Sequence, residues 1–430
     1  MADDATGARH DPRGKMSKHF DELETRSADQ RAADVAQVLP AQIGRAKALP
    51  GYATALAEVD PASITGADAL SRLPVLRKSE LVGAQAERAP LGGFAAHAAA
   101  GFEHLFQSPG PIYEPGRTGH DWWRMGRFLH ALGIGPGDIV QNCFSYHFVP
   151  AGMMFENGAR AVGAAVFPAG TGQTELQVRA AADLGSTAYA GTPDFLKVIL
   201  DKADAMGVRL KIARAAVGGG ALFPSLRAEY ADRGITCRQC YATADLGDIA
   251  YETEALEGLI VDEGVIVEIV RPGTGDPVPD GEVGEVVVTT LTPDYPLIRF
   301  GTGDMSAILP GLSPCGRTNR RIKGWMGRAD QTTKVKGMSV HPGQVADAAK
   351  RHPEIARFRL VVGGTAGRDE MVLRCELKAQ GETESRDAAL AARIAESLQA
   401  TTKLKGTVEL VAPGSLPNDG KVIEDTRSYA

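Results

Sequence analysis

The sequence predicts an α/β protein: a large multi-sheet N-terminal domain with an antiparallel β subregion, then a small α+β C-terminal domain. Three observations carry this. From Gly101 onward, helical patterns alternate with short apolar, glycine-punctuated segments, the rhythm of a mostly parallel sheet covered by helices. Near Leu259 the style shifts to apolar–polar alternation between the PGTGD and DGEVG turns, which reads as antiparallel β. A length of 430 residues exceeds one ordinary core, so two or more domains are expected.

In chain order, residues 1–17 are expected to be a disordered extension. MADDATGARHDPRGKM is polar and lacks the apolar stretch of a signal peptide. From about Lys18 to Glu87 the chain reads as helical, with LETRSADQRAADVAQVLPAQIGRAKAL carrying apolar residues at three- and four-residue spacing. HDWWRMGRFLHALGIGPGD predicts a helix stopped by glycine, and DIVQNCFSY a strand. GMMFENGARAVGAAVFPAG, TELQVRAAADLGSTAYAGTP and DFLKVILDKADAMGV with IARAAVGGG each repeat helix then strand. After GWMGRADQ, VADAAKRHPEI reads as helix, ARFRLVVGG and EMVLRCELKAQ as strands, and SRDAALAARIAESLQATTKL as a long helix. The domain boundary is expected near Asp330, giving domains at 18–329 and 330–430.

Apolar residues at 43% and charged residues at 23% are ordinary for a soluble globular chain. A net charge of -6 gives no support for binding nucleic acid or an anionic membrane, and no apolar run is long enough to span a bilayer. Five cysteines form no secreted-type framework. Cys237 and Cys240 in GITCRQCY read as reduced thiols in or beside a strand, because zinc would need a second ligand pair. A cytoplasmic location is the resulting expectation.

Five segments hold the candidate chemistry. FQSPGPIYEPG, Phe106 to Gly116, has the composition of a tight turn leaving a strand, such as often cradles phosphate. In QCYATADLG an aromatic can stack a base, while a threonine and an acid, Thr243 and Asp245, can meet phosphate and its Mg²⁺. In PLIRFGTGDMSAI, Asp304 follows G-T-G at a strand-to-turn junction, where an acid can bond a ribose diol. GRADQTTKVKGMSVHP crowds basic residues around a glycine-bounded strand. LPNDGKVIED places Lys421 in a polar, glycine-containing loop near the chain's end.

In this order and spacing the segments resemble the adenylate-forming superfamily of acyl-CoA synthetases, luciferases and peptide-synthetase adenylation domains. More closely, GEVGEVVVTT, YPLIRFGTGD, CGRTNRRI and GRADQTTKVKG follow one another as in its phenylacetate-CoA ligase branch, which includes the coenzyme F390 synthetases. The resemblance runs from about Lys18 onward.

It implies ATP/AMP, Mg²⁺ and coenzyme A as cofactors and a small carboxylic acid as substrate, and it leaves room for a homodimer. Tyr241 would stack on adenine beside the glycine wall Gly218, Gly219 and Gly220. Thr243 would bond the α-phosphate, and Asp245 stands where the family usually has a Mg²⁺-binding Glu. Asp304 would hold the ribose, supported by Arg328. Asp330 matches the pivot of the small domain, and Lys421 the lysine that bridges carboxylate and α-phosphate. Coenzyme A would enter along Lys334, Lys336 and Gly337, while Tyr146, His147 and Phe148 would wall the acid with aromatic rings and a polar group.

Two departures matter. The phosphate loop keeps Ser108, Gly110 and a proline but has lost the family's threonines and lysine. Pro109 and Pro111 remove backbone donors and Glu114 adds negative charge, so a weaker triphosphate cradle is expected. Thr253, Ile260, Ser313 and Cys315 match positions where some relatives hold structural zinc, so no zinc is expected. The resemblance thus implies an ATP-dependent acid–CoA ligase, acting on an aromatic or arylacetic acid by analogy. Two alternatives stay open: an adenylyltransferase that passes AMP to a hydroxyl, and a catalytically silent relative.

Overall fold

The computed structural model describes residues 17–427, except 221, 327, 330–332, 341, 366–367, 378–383 and 418–421. Glycine-bounded apolar runs become strands buried on both faces; every residue of Ala188–Gly191 is buried. Five parallel strands lie in the order Ala165–Phe167, Ile139–Asn142, Ala188–Gly191, Arg214–Val217 and Thr236–Thr243. Helices Ala151–Ala161, Thr174–Leu184 and Pro193–Ala205 connect them, as the pattern predicts. The sheet then turns antiparallel through Gly247–Tyr251, Leu259–Val261, Arg321–Ile322 and Ile308–Leu309.

A second sheet follows the order Leu76–Arg77, Phe300–Ser306, Gly284–Thr290 and Val265–Val270, which includes the predicted antiparallel region. The FQSPGPIYEPG stretch forms a separate hairpin of His104–Ser108 with Ile112–Gly116, in which Phe106 lies opposite Glu114.

Two helical expectations are corrected. Between residues 18 and 87 the α-helices are Ala28–Lys47, Ala67–Leu70 and Lys78–Glu87; Pro50 and Pro61 instead open 3₁₀ turns. In the HDWWRMGRFLHAL segment the helix spans only Gly126–Ala131. Asp121 and Arg124 sit at positive φ, and the Asp121 carboxylate accepts from the Gly126 N–H, so side-chain bonding replaces the earlier turn of helix.

The C-terminal residues have a core of their own, built on Val335, Val345, Leu360, Leu373, Ile394 and Leu398. Its sheet runs Thr407–Val411, Arg368–Leu377, Ile355–Thr365 and Ile423–Asp425, with helices Pro342–Lys350 and Glu384–Thr402. The hairpin Thr333–Val335 and Met338–Val340 turns at Lys336 and Gly337, with φ of 49° and 79°. Both central residues at positive φ make this a two-residue type I′ turn, where glycine is favoured. Arg427 ties the hairpin to the sheet by bonding Thr333, Asp369 and Asp425. Among the described residues no helix is long and apolar enough to cross a membrane.

Candidate active site

Three elements meet at Asp304. The strand Thr236–Thr243 carries a register shift between Tyr241 and Ala242, a bulge of the kind that re-aims side chains. Tyr241 donates to Asp304 Oδ2 at 2.8 Å, and its hydroxyl lies 3.2 Å from Thr302 Oγ1. On the other carboxylate oxygen, Oδ1 accepts from Trp325 Nε1 at 2.9 Å and Arg328 Nη1 at 3.1 Å. Arg328 also donates to the Thr302 carbonyl, and its backbone bridges to Asp304. Gly303, at φ 74°, lets the guanidinium lie close: a Cβ there would stand 2.7 Å from Arg328 Nη2. Burial first, then the Asp304 charge, raise the Tyr241 phenol well above its ordinary value, so it remains a neutral donor.

Beside this corner lies an acidic one. Thr243 closes the turn after its strand by accepting from the Leu246 N–H, and Asp245 sits buried within that turn. Asp245 Oδ2 pairs with Lys78 Nζ at 2.5 Å, while Oδ1 is buried with no hydrogen-bond partner. From the hairpin comes Glu114, fully buried, with neither oxygen in a well-formed hydrogen bond. Burial, then the Asp245 charge, push the Glu114 carboxyl up to about 8, against the opposing pull of Lys78 and Ser108. Burial alone would lower the Lys78 ammonium; Asp245, followed by Glu114 and Asp304, raise it instead. Ser108 is buried in the hairpin and Gly110 lies in its turn.

The donor set fits one ligand of a phosphate-bound Mg²⁺. Asp245 offers an unpaired buried oxygen, and Mg²⁺ is ordinarily held by one or two carboxylates with phosphates and water completing its shell. Among the described residues no group of three His, Cys, Asp or Glu side chains could hold a metal unaided.

The glycine turn after Arg214–Val217 faces aromatic rings. A Cβ on Gly218 would meet Cys240 Sγ at 3.2 Å and Phe155 at 3.8 Å; one on Gly219 would meet Phe144 at 3.8 Å. On Gly220 it would meet Pro193 at 3.3 Å. Phe144 and Phe155 are stacked, with centroids 4.3 Å apart. Of the three residues expected to wall the acid, only Tyr146 turns inward, bonding Asn142 Nδ2 at 2.8 Å and Glu156 at 2.9 Å. His147 is exposed, and Phe148, at φ 60° in a turn, is 74% exposed. Phe144 and Phe155, by contrast, are buried and packed in the core beside the glycine turn.

From the C-terminal hairpin, Lys334 Nζ reaches the Gly219 carbonyl at 3.3 Å. Although Lys334 as a whole is exposed, desolvation near the Gly219 carbonyl lowers its ammonium, with Asp304 opposing and Lys78 and Arg328 adding to the shift. Lys336 donates its N–H to Asp369 at 2.6 Å, and Gly337 is exposed at the tip of the turn. Asp330 and Lys421 lie outside the described residues. Trp325 and Lys78 escaped the sequence reading. Trp325 stands three positions before Arg328, a proximity that could have flagged it, whereas nothing in the sequence marks Lys78.

Comparisons with known proteins bear on this arrangement. The family profile for AMP-binding enzymes matches residues 120–292, and that for the AMP-binding enzyme C-terminal domain matches residues 337–426. A phenylacetate-coenzyme A ligase of Thermus thermophilus is 28% identical over 402 residues, covering 86% of this chain and 89% of the relative. One from Pseudomonas putida is 26% identical over 395 residues, covering 87% and 88%. Among solved structures, a 2-hydroxyisobutyryl-CoA ligase in complex with its acyl-adenylate and CoA in the thioesterification state has a TM-score of 0.82. It shares 22% identity and covers 97% of this chain and 94% of its own. That last likeness is one of fold.

Proposed function

The chain belongs to the adenylate-forming, AMP-binding superfamily, and from that membership we propose that it is an AMP-forming acid–CoA ligase with an aromatic or arylacetic acid as substrate. The observation that carries the reading is Asp304, oriented by Tyr241, Trp325 and Arg328. A carboxylate so oriented accepts the two ribose hydroxyls, the Tyr241 ring lies against adenine, and Thr243 and Asp245 meet the phosphates. Mg²⁺, when bound with the nucleotide, supplies charge that offsets the phosphates.

In the first half-reaction a carboxylate oxygen attacks the α-phosphorus, the bond to the β-phosphate oxygen breaks, and pyrophosphate leaves. Lys421 is the residue that would balance charge on the α-phosphate. In the second, the CoA thiol loses its proton to solvent and its sulfur attacks the acyl carbonyl. The carbon–oxygen bond to phosphate breaks and AMP leaves. The proposed domain division at residue 330, with Asp330 as pivot, brings the hairpin bearing Lys334, Lys336 and Gly337 to the site for this step. The Lys334–Gly219 contact supports that pose. The stacked Phe144 and Phe155 support an aryl-bearing acid.

ATP–pyrophosphate exchange over a panel of aromatic and short-chain acids tests the reading. Acid-dependent exchange, followed by CoA-dependent release of AMP, is the expected result. Exchange with AMP release to a hydroxyl acceptor but not to CoA would favour an adenylyltransferase, and no exchange with any acid would remove the ligase reading.

A further inference from the structure

The 104–116 hairpin has no basic residue in its turn, and the cation acting on its Glu114 comes from elsewhere in the chain. Lys78 opens the helix Lys78–Glu87 and holds Asp245 at 2.5 Å. Two turns along the same helix, Gln85, only 4% exposed, clasps the hairpin backbone on both sides. Its Nε2 donates to the Tyr113 carbonyl at 2.8 Å, and its Oε1 accepts from the Tyr113 N–H at 2.8 Å. The amide thus pairs with the peptide as a neighbouring strand would, and Lys78 and the hairpin are bound into one unit.

The hydrogen-bond donors and acceptors gathered there are not matched. Asp245 Oδ1 and both oxygens of Glu114 are buried without a well-formed hydrogen bond, while Lys78 commits one N–H to Asp245 and has two more to give. Buried polar atoms left unpaired are costly, so such a cluster fits a ligand that brings both a cation and anionic oxygens. A nucleoside polyphosphate with its Mg²⁺ does both. Resting on the nucleotide reading above, we propose that Lys78 is the phosphate-binding cation of this site, contacting the polyphosphate end of the nucleotide in place of the lysine that the hairpin lacks. A phosphate-bound Mg²⁺ would take the unpaired Asp245 oxygen, and the remaining N–H groups of Lys78 would turn to phosphate oxygens. As a flexible point charge on a long stem, lysine suits this exchange.

Calorimetric titration of the full chain with MgATP and with AMP tests the assignment. Lys78→Gln should weaken MgATP by about 10- to 100-fold, the loss of one charge-assisted contact, and leave AMP within about threefold. Lys78→Arg should restore most of the MgATP affinity. Because Lys78 also neutralises a buried acid, Lys78→Gln could fail to fold; a second measurement uses the unaltered protein. MgATP, and not AMP, should protect Lys78 from amine acylation as read by mass spectrometry. Equal weakening of ATP and AMP in Lys78→Gln, unchanged ATP affinity, or equal protection by both nucleotides would each overturn the assignment. An unaltered chain that binds no adenine nucleotide overturns the ligase reading itself, a different failure.

Discussion

The two corners of the candidate site are built on opposite principles. At Asp304, both carboxylate oxygens are met by protein donors from Tyr241, Trp325 and Arg328 before any ligand arrives. A few residues away in space, Asp245 and Glu114 are more deeply buried, yet Asp245 keeps one bare oxygen and Glu114 two. A satisfied polar network is rigid and fixes geometry, whereas an unsatisfied one is unfavourable until something fills it. On the proposed reading, the nucleoside end of the site is preorganised, and the phosphate end is completed by its ligand. Binding energy for AMP should come mainly from the first corner, and discrimination between ATP and AMP mainly from the second.

The largest effect should come from the lysine proposed to act on the α-phosphate between these corners. Lys421→Ala should slow adenylation by about 10²- to 10³-fold, the usual loss for one charge-stabilising donor. Thioester formation from supplied acyl-adenylate should stay nearly unchanged, which single-turnover assays of each half-reaction would reveal. Equal loss in both steps would point to a folding defect. Next in size is Asp304→Asn, which breaks the preorganised corner. AMP should bind about 10- to 100-fold more weakly, since hydrogen bonds to a charged acceptor are lost. Calorimetry with AMP and 2′,3′-dideoxy-AMP sharpens this: the variant should lose most of the preference for the intact ribose. A preference that survives would mean the ribose is held elsewhere.

Much of the fold was legible because its signals are local. The helix–strand alternation of residues 151–217 depends on periodicity within each segment, and the structure follows it closely. The 18–87 region was over-read as helix because apolar spacing continued where Pro50 and Pro61 broke the backbone into 3₁₀ turns. The Asp304 corner was half legible: Tyr241, Asp304 and Arg328 stand in recognisable motifs, and Trp325 lies close to Arg328 in sequence. The phosphate corner was not. Lys78 looks like any lysine opening a helix, and its partner Asp245 is 167 residues away, a pairing that only tertiary folding creates. Glu114 was expected to repel phosphate, but burial changes its protonation, which no sequence pattern announces. The string Phe144 to Phe148 shows aromatic content without direction; the turn at Phe148 sends that ring outward while Phe144 packs inward.

The smallest effect on nucleotide binding at neutral pH should come from Glu114→Gln, and the pH dependence of its stability is the informative part. In the folded chain the carboxyl lies near 8, against an ordinary value of 4.5, chiefly through burial and then the Asp245 charge. The folded state therefore holds a proton that the unfolded state has released, and the stabilisation linked to it is fully present below about pH 4.5 and lost as pH rises through about 8. At pH 7 the folded side chain is mostly protonated, so an uncharged glutamine of nearly the same shape changes nucleotide binding little, while it removes the cost of protonating a carboxyl that the unfolded chain has ionised. Above about pH 8 the carboxyl is ionised in both states, so its pH dependence ends there, with Lys78 and Ser108 opposing the cost of the buried charge beside Asp245. Thermal midpoints measured from pH 5 to 9 should thus fall more steeply for the unaltered chain than for Glu114→Gln between about pH 5 and 8, and the two curves should run parallel above about pH 8. Saturating MgATP should also shift this divergence, because a cation brought to Asp245 weakens the repulsion that keeps Glu114 protonated. Parallel curves between about pH 5 and 8 without nucleotide would mean that Glu114 is ionised throughout, and the phosphate corner would then be less strained than its unpaired oxygens imply.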